Sequence, residues 1–261
     1  MFRSLHIAST GMSAQETHLE GVANNISNAN TVGYKRQRVE FQDLLYQNVR
    51  EAGAATGPNT TNPTGLQVGT GVRVVGTSRA FEQGALENTG NPLDVAIEGN
   101  GFFVVQQSDG TPAYTRAGTL QADGDGRIVT NEGLPLDPPI TIPAGATGLS
   151  VAADGTVSVT MSGETDPTDV GQIMIATFVN PAGLKAIGHN LFTETPASGE
   201  PQQGAPAEDG RGALLQGSFE RSNVDIVAEM IGMISAQRAY EINSKVITTA
   251  DEMLRAASQL K

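Results

Sequence analysis

The chain has 261 residues, of which 38% are apolar and 5% aromatic, with no Trp and no Cys. The lack of Cys excludes disulfides, thiolate zinc sites and cysteine nucleophiles. The formal net charge of −12 argues against nucleic acid or an anionic membrane as a partner, because both are themselves negatively charged.

The negative charge is concentrated in the middle of the chain. Residues 1–38 carry a net +2 and residues 224–261 a net −1, which leaves −13 for the segment between them. Nearly neutral ends can pack closely against each other and against copies of themselves. An acidic middle suits a solvated outer surface.

The N-terminal segment has the periodicity of an amphipathic helix. Residues spaced by three and four form a stripe in which only Gln15 is polar: Leu5, Ala8, Met12, Gln15, Leu19, Val22 and Ile26. Gly11 lies inside this stretch and costs about 1 kcal/mol of helix propensity relative to Ala. The spacing nevertheless predicts a helix with one apolar face.

An Asn-rich segment ends this helix. It runs from Ala23 to Arg36 and contains four Asn residues within seven positions, Asn24, Asn25, Asn28 and Asn30. Asn bonds its own backbone and tolerates left-handed conformations, and Gly33 permits a positive φ. These properties predict the end of the helix and a tightly turned connection.

The segment from Gln37 to Ala85 reads as an extended linker. A Gly-, Ala-, Thr- and Pro-rich loop is predicted over Ala52–Thr64, and alternating β-branched residues predict a strand over Leu66–Val75. Gly69 and Gly71 are not a dinucleotide fingerprint, because the third Gly is missing and no helix follows.

Residues 86–216 predict an all-β domain. Short apolar runs alternate with turn signals and no helical period appears. The predicted strands are Leu93–Ile97, Phe102–Val105, Ile128–Thr130, Ile140–Ile142, Leu149–Val151, Val157–Thr160 and Ile173–Val179. Tight turns are predicted at Asp109-Gly110, Asp123 to Gly126, Asp154-Gly155 and Ser162-Gly163, and a loop over Ala197–Gly212.

The C-terminal segment predicts a second helix, from Val224 to Leu260. Ser222 and Asp225 resemble a capping box, and two i,i+4 pairs, Glu241–Lys245 and Asp251–Arg255, favour the helix. A stripe again has spacings of three and four: Ala239, Ile242, Val246, Ala250, Met253, Ala257 and Leu260. At 1.5 Å per residue the helix is roughly 55 Å long.

A helix of this length indicates a coiled coil or an assembly. Neither terminal stripe has a neighbour in sequence to bury it, so the simplest prediction is that the two stripes bury each other. The alternative is a pair of ordinary surface helices on one globular domain.

Motifs at both ends of the chain carry a specific resemblance. The run from Ala23 to Arg36 resembles the N-terminal signature of the rod and hook family of the bacterial flagellar basal body. Three C-terminal runs are similar to the matching end of that family: Ser222 to Asp225, Met233 to Lys245 and Thr249 to Leu254. Asn91 to Phe103 and Ala113 to Arg116 resemble the family's β domain. The length fits rod members rather than hook members.

The resemblance implies a structural subunit that polymerises helically into a hollow drive shaft, transmits torque and lets export substrates pass. It implies an α+β fold: terminal helices pairing as a coiled coil over residues 1–34 and 217–261, an extended rod-type linker over 35–85, and a β domain over 86–216. The subunit-interface residues are expected to be Leu5, Met12, Leu19, Asn24, Asn25, Ile26, Asn28, Ala239, Tyr240, Ile242, Val246, Met253, Leu254 and Leu260.

The resemblance also implies partners and a location. The partners are further copies of the chain, other rod and hook subunits, bushing ring proteins and the flagellar export apparatus, and the location is the periplasmic rod. The first residues lack the apolar run of a signal peptide, and no stretch approaches the roughly 20 apolar residues of a membrane span. We therefore expect a protein that is cytoplasmic or is exported without a cleaved signal peptide.

No motif in the sequence indicates catalysis, a cofactor or a metal. His6 and His18 lie too far apart on the predicted helix to share a metal, and His189 falls in or near a loop. The run from Asp123 to Gly126 begins like a calcium loop, but Ile128 and Leu134 occupy the positions that need Gly and Glu. The remaining alternatives are another subunit of the same family or an acidic secreted β-domain protein that acts on or binds carbohydrate.

Overall fold

The structure, a computed structural model, describes residues 2–53, 55–57, 60–61, 63–163 and 166–259. Helices α1 (Phe2–Ser27) and α2 (Ile226–Gln259) lie at the two ends of the chain, with strands between them, so the predicted α+β class is confirmed. The chain divides into two compact units. One comprises residues 1–26, 37–78 and 226–261, and the other comprises residues 27–36 and 79–225.

The first unit combines the two helices with short two-stranded ribbons. Its strands are β1 (Gln37–Asp43), β2 (Gln47–Arg50), β3 (Ala55–Gly57), β4 (Thr60–Thr61), β5 (Leu66–Val68) and β6 (Val72–Arg79), the last residue of which belongs to the second unit. β1 pairs with β6, β2 with β5 and β3 with β4. The strand predicted over Leu66–Val75 is therefore present, interrupted between β5 and β6.

Helix α2 is a single element of 34 residues, about 51 Å long. Asp251 and Arg255 form the predicted i,i+4 pair at 2.9 Å, whereas Glu241 and Lys245 form no ion pair within the described part of the chain. The predicted capping box is wrong. Helix α2 begins at Ile226, and the Ser222 hydroxyl accepts a hydrogen bond from the N–H of Val224, outside the helix.

The second unit contains the remaining strands. They are β7 (Leu86–Asn88), β8 (Val95–Glu98), β9 (Phe102–Gln106), β10 (Pro112–Thr115), β11 (Leu120–Ala122), β12 (Ile128–Thr130), β13 (Ala146–Val151), β14 (Thr156–Met161), β15 (Thr168–Gln172), β16 (Ile175–Thr177), β17 (Lys185–Gly188), β18 (Leu191–Thr193), β19 (Gln202–Gly204), β20 (Ala213–Gln216) and β21 (Ser218–Glu220). The largest sheet has the order β17-β18-β10-β9-β16-β19.

Smaller sheets complete the second unit. β13, β14 and β15 form a three-stranded antiparallel sheet, and two-stranded pairs join β11 to β12, β20 to β8 and β21 to β7. The last two pairs are long-range, because strands next to the C-terminal helix pair with strands at the start of the β region. A short 3-10 helix spans Pro181–Gly183.

The core of the second unit lies on both faces of the large sheet. Alternate residues of β9 point to opposite sides: Phe103 and Val105 join an aliphatic cluster, whereas Phe102 and Val104 join an aromatic one. Tyr114 lies in the aromatic cluster, with its ring centre 4.8 Å from that of Phe178. A sheet buried on both faces explains why these runs are continuously apolar.

Several strand boundaries differ from the predictions. Ile140–Ile142 is not a regular strand, because prolines 138, 139 and 143 remove N–H donors on either side. β8 begins at Val95 rather than Leu93, since Asp94 donates its N–H to the carbonyl of Asn91 and closes a turn. The loop predicted over Ala197–Gly212 contains β19.

The predicted Asp-Gly turns are confirmed. Gly110, Gly126 and Gly155 adopt positive φ, and each donates its N–H to the carbonyl three residues earlier. Over the described residues, neither helix is long and apolar enough to cross a membrane.

Candidate functional site

Helices α1 and α2 approach each other through small residues. A Cβ added at Gly11 would lie 3.0 Å from Nδ2 of Asn243, and one added at Gly232 would lie 4.0 Å from Cγ2 of Val22. On α2, Ala236 and Ala250 are each only 1% exposed. Small side chains at these positions let the two helix backbones come close together.

A polar cluster lies where α1 ends. The Asn25 side chain accepts from the N–H of Gln37 and donates to its carbonyl, both at 2.8 Å. It also donates to the buried carboxylate of Glu229 on α2, at 3.3 Å. Asn25 therefore ties the end of α1 to the start of β1 and to the first turns of α2.

The opposite face of α2 is apolar and exposed. Its large side chains are between 41% and 66% exposed: Val227, Met230, Ile231, Ile234, Ile242, Val246 and Met253. We call this set the outer face of α2. Ser4 of α1 lines a shallow groove with Ile242, Val246 and Met253, but these three side chains remain between 41% and 64% exposed. An exposed apolar surface of this extent is typical of an interaction site.

Helix α2 therefore buries a different set of residues from the one predicted. Within the C-terminal stripe, Ala250 is buried and Ala239 is half-buried, while Ile242, Val246, Met253 and Ala257 are exposed. The remaining position, Leu260, lies outside the described residues. Tyr240 is exposed and Leu254 half-buried. The face that meets α1 instead carries the smaller residues of α2.

The N-terminal members of the predicted interface are less exposed. Four apolar positions are half-buried: Leu5, Met12, Leu19 and Ile26. Of the three Asn residues, Asn24 is exposed, Asn25 is buried and Asn28 accepts a hydrogen bond from Thr31. Whether these side chains contact other copies of the chain stays a prediction.

The strands of the first unit carry a second group of exposed apolar side chains: Phe41, Leu45, Tyr46, Val49, Leu66 and Val75. The connection between β5 and β6 lies against α1 at Gly71. There φ is +125°, and an added Cβ would lie 2.3 Å from Oγ1 of Thr10. Gly71 also accepts a hydrogen bond from the N–H of Leu44. Only Gly permits this close approach of the β5–β6 connection to the helix.

The second unit contains a buried ionic cluster that the sequence did not predict. Glu220 is 1% exposed. It accepts from Nζ of Lys35 and from Nε of Arg116, each at 2.6 Å, and from the N–H of Gly84 at 2.7 Å. The rest of the Arg116 guanidinium donates to the carbonyls of residues 97, 99 and 101.

Two cations surround one carboxylate in this cluster, and backbone carbonyls hold the remaining N–H groups. Lys35 donates to the carbonyl of Glu82 at 2.7 Å. Burial lowers the pKa of the Lys35 ammonium below its ordinary value of 10.5, although the charge of Glu220 acts in the opposite direction. The only sequence signal was charge next to apolar strand ends, which cannot identify a partner far away in the chain.

Metal and cofactor chemistry gain no support from these clusters. Within the described ranges, no three His, Asp or Glu side chains are grouped as a metal site requires. His189 lies 2.5 Å from Glu132, at the surface.

Three family models match the chain. "Flagella basal body rod protein" matches residues 5–35, "Flagellar hook protein FlgE/F/G D1 domain" matches residues 96–159, and "Flagellar basal body rod FlgEFG protein C-terminal" matches residues 215–260. The first and third matches cover most of the two terminal helices. The second covers part of the β-rich unit.

Curated relatives match over the full length. The flagellar basal-body rod protein FlgG of Buchnera aphidicola subsp. Acyrthosiphon pisum (strain APS) is 49% identical over 260 residues, covering 100% of both chains. FlgG of Caulobacter vibrioides (strain ATCC 19089 / CIP 103742 / CB 15) is 50% identical over 260 residues, covering 99% of each chain. FlgG of Bacillus subtilis (strain 168) is 40% identical over 266 residues, covering 100% of both.

Proposed function

The chain belongs to the FlgG family of flagellar basal-body rod proteins, and from this membership we propose that its outer face of α2 is the surface through which copies polymerise. As a family member the chain is a structural subunit of the distal rod and not an enzyme. It assembles with other rod and hook subunits of the flagellum.

The observation that carries the proposal is the exposure of the outer face. Ile242 is 64% exposed, Ile231 62% and Val246 41%, on a helix whose other side already packs against α1. Burying such side chains is worth roughly 1.5–3 kcal/mol each. Head-to-tail contacts between two different surfaces generate a helical filament when they do not close into a ring, so the outer face of one copy contacts a different surface of the next copy and repetition of this contact builds a rod.

A coiled-coil arrangement of the terminal helices is part of the proposal. On α2 the less exposed positions Glu229, Ala236, Asn243 and Ala250 recur at intervals of seven residues. On α1 the buried Ala8 and Val22 are separated by two such intervals. A heptad period of inward positions is what a left-handed coiled coil requires.

The proposed assembly assigns a place to each segment of the chain. Residues 1–34 and 217–261 form the inner tube, residues 35–85 interlock neighbouring subunits, and the acidic β domain of residues 86–216 faces outward. The resulting hollow shaft transmits torque and passes export substrates. Bushing ring proteins surround it in the periplasm, and the subunits reach it through the flagellar export apparatus.

A charge on the outer face tests the proposal. Val246→Asp is expected to abolish assembly of the purified full-length chain, measured by sedimentation, because a buried carboxylate without a partner is strongly unfavourable. Ser108→Asp is the control, since Ser108 is exposed in the turn between β9 and β10 of the second unit. Assembly of Val246→Asp at the wild-type concentration overturns the proposal.

A further inference from the structure

The second unit contains a cleft of about 510 Å³ that is separate in sequence from the outer face of α2. The connection after α1 forms one wall, with Asn28, Thr31 and Val32. The turns after β10 and β12 and the hairpin between β17 and β18 form the others. The hairpin is fixed by Asn190, whose side-chain amide donates to the carbonyl of Val32 at 2.7 Å. The cleft is therefore preformed.

Arg79 lies over the floor of this cleft. Its guanidinium carbon is 5.5 Å from the ring centre of Tyr34 and 5.5 Å from that of Phe192, both buried rings. One Nη donates to the carbonyl of Lys35 at 3.2 Å. Stacking on two rings holds the planar fork in one orientation and leaves its remaining N–H groups available.

The charge of Arg79 lacks a carboxylate. Across the described residues, no Asp or Glu oxygen lies within ion-pair distance of its guanidinium. The acidic residue lining the cleft is Glu132, and its Oε1 is engaged by Nδ1 of His189 at 2.5 Å. By contrast Arg127 pairs with Asp123 at the surface, and the largely buried Arg211 pairs with Asp209.

We propose that this cleft receives an Asp or Glu side chain of a second copy of the chain, bound by the Arg79 guanidinium. The proposal rests on the rod function above, because assembly brings the acidic surfaces of neighbouring copies together. The chain carries 28 acidic against 16 basic residues, so an approaching copy presents mostly carboxylates. A guanidinium held in one orientation can donate two parallel hydrogen bonds to the two oxygens of one carboxylate.

Two substitutions test the contact in assembly. Arg79→Met removes the charge and keeps an apolar stem over the rings, and it is expected to raise the concentration for half-assembly at least ten-fold, since a hydrogen bond to a charged group is worth ~1.5–3 kcal/mol. Arg79→Lys keeps the charge but loses the planar guanidinium. Its concentration for half-assembly is expected to lie between those of the wild type and Arg79→Met. Arg127→Met, the matched control, is expected to assemble like the wild type. Arg79→Met assembling at the wild-type concentration overturns the proposal.

A crosslinking experiment keeps the proposal testable if Arg79→Met does not fold. A photo-reactive residue replaces Thr119 on the cleft wall, in rods assembled from mixed light and heavy-isotope subunits. A light-to-heavy crosslink to a peptide containing Asp or Glu supports the proposal. Crosslinks only within one copy, or none, contradict it. In either case loss of assembly by Val246→Asp shows that the rod function stands independently.

Discussion

The Lys35 ammonium and the Glu220 carboxylate lie 2.6 Å apart, although 185 positions separate the two residues and both side chains are 1% exposed. Arg116, from the middle of the β region, reaches the same carboxylate. One buried acid therefore joins the segment that follows α1, the residue that follows β10 and the strand that precedes α2. The point where the chain enters and leaves the β-rich unit is fixed by this cluster.

Removing the charge of Glu220 is expected to destabilise the protein strongly. Glu220→Gln leaves Lys35 and Arg116 buried without a counter-charge, which costs about 3–5 kcal/mol. Urea unfolding followed by circular dichroism measures this loss. Glu87→Gln is the control, because Glu87 makes only a 3.6 Å surface pair with Arg221 and is expected to cost under about 1 kcal/mol. Equal midpoints for the two variants would refute the role given to the cluster.

Alkaline pH is expected to destabilise the protein through Tyr114. Burial, reinforced by the charge of Glu194, raises the pKa of its phenol to about 12. The unfolded chain ionises near 10, so between pH 10 and 12 the folded state binds more protons and loses stability as the pH rises. The loss is up to about 2–3 kcal/mol. Tyr114→Phe should flatten the stability profile in that window, and parallel profiles of variant and wild type would contradict the assignment.

The connection between β5 and β6 is expected to move away from α1 when Gly71 gains a side chain. Gly71→Ala places a Cβ 2.3 Å from the Thr10 hydroxyl at a φ of +125°, which costs of order 1–3 kcal/mol. Hydrogen exchange of the Leu44 N–H, which donates to Gly71, reports the detachment. Gly76→Ala is the control, because an added Cβ there meets nothing within 4 Å. Unchanged hydrogen exchange of the Leu44 N–H in Gly71→Ala would show that the β5–β6 connection stays in place.

The end of α1 is expected to loosen when Asn25 is replaced. Asn25→Asp cannot donate to the carbonyl of Gln37, and it places a second carboxylate beside Glu229. Each buried group left unsatisfied costs about 1–3 kcal/mol. Hydrogen exchange across residues 20–27 measures the effect, with Asn30→Asp at an exposed turn as the control. Equal hydrogen exchange in the two variants would show that Asn25 does not hold the end of α1 in place.

Periodicity predicted the two helices and the all-β middle because each is a local pattern. It did not identify the face of α2 that meets α1, since hydrophobic spacing gives weight to large residues such as Ile242 and Val246. The packed face is made of Gly232, Ala236, Asn243 and Ala250, which carry little apolar surface. Their close approach to α1 depends on the partner helix, which no local pattern contains.

The buried ionic cluster could not be predicted for a related reason. Lys35 lies between α1 and β1, Arg116 directly follows β10 and Glu220 is the last residue of β21. Charge at such positions normally indicates a solvated side chain. The long-range pair β21–β7 places Glu220 opposite Leu86, and Lys35 and Arg116 reach its carboxylate from segments far away in the chain. The register of such pairs is set by tertiary packing rather than by local sequence.

Solvent protection of the outer face of α2 in assembled rods shows whether copies polymerise through this face. The chain has no Cys, so Val246→Cys supplies a single thiol on that face, and Asp109→Cys supplies a control thiol at an exposed turn of the β-rich unit. Maleimide should label both thiols in the monomer. In assembled rods, the thiol at position 246 should become at least ten-fold slower to react while that at position 109 is unchanged. Equal labelling of position 246 in monomer and rod would contradict polymerisation through this face.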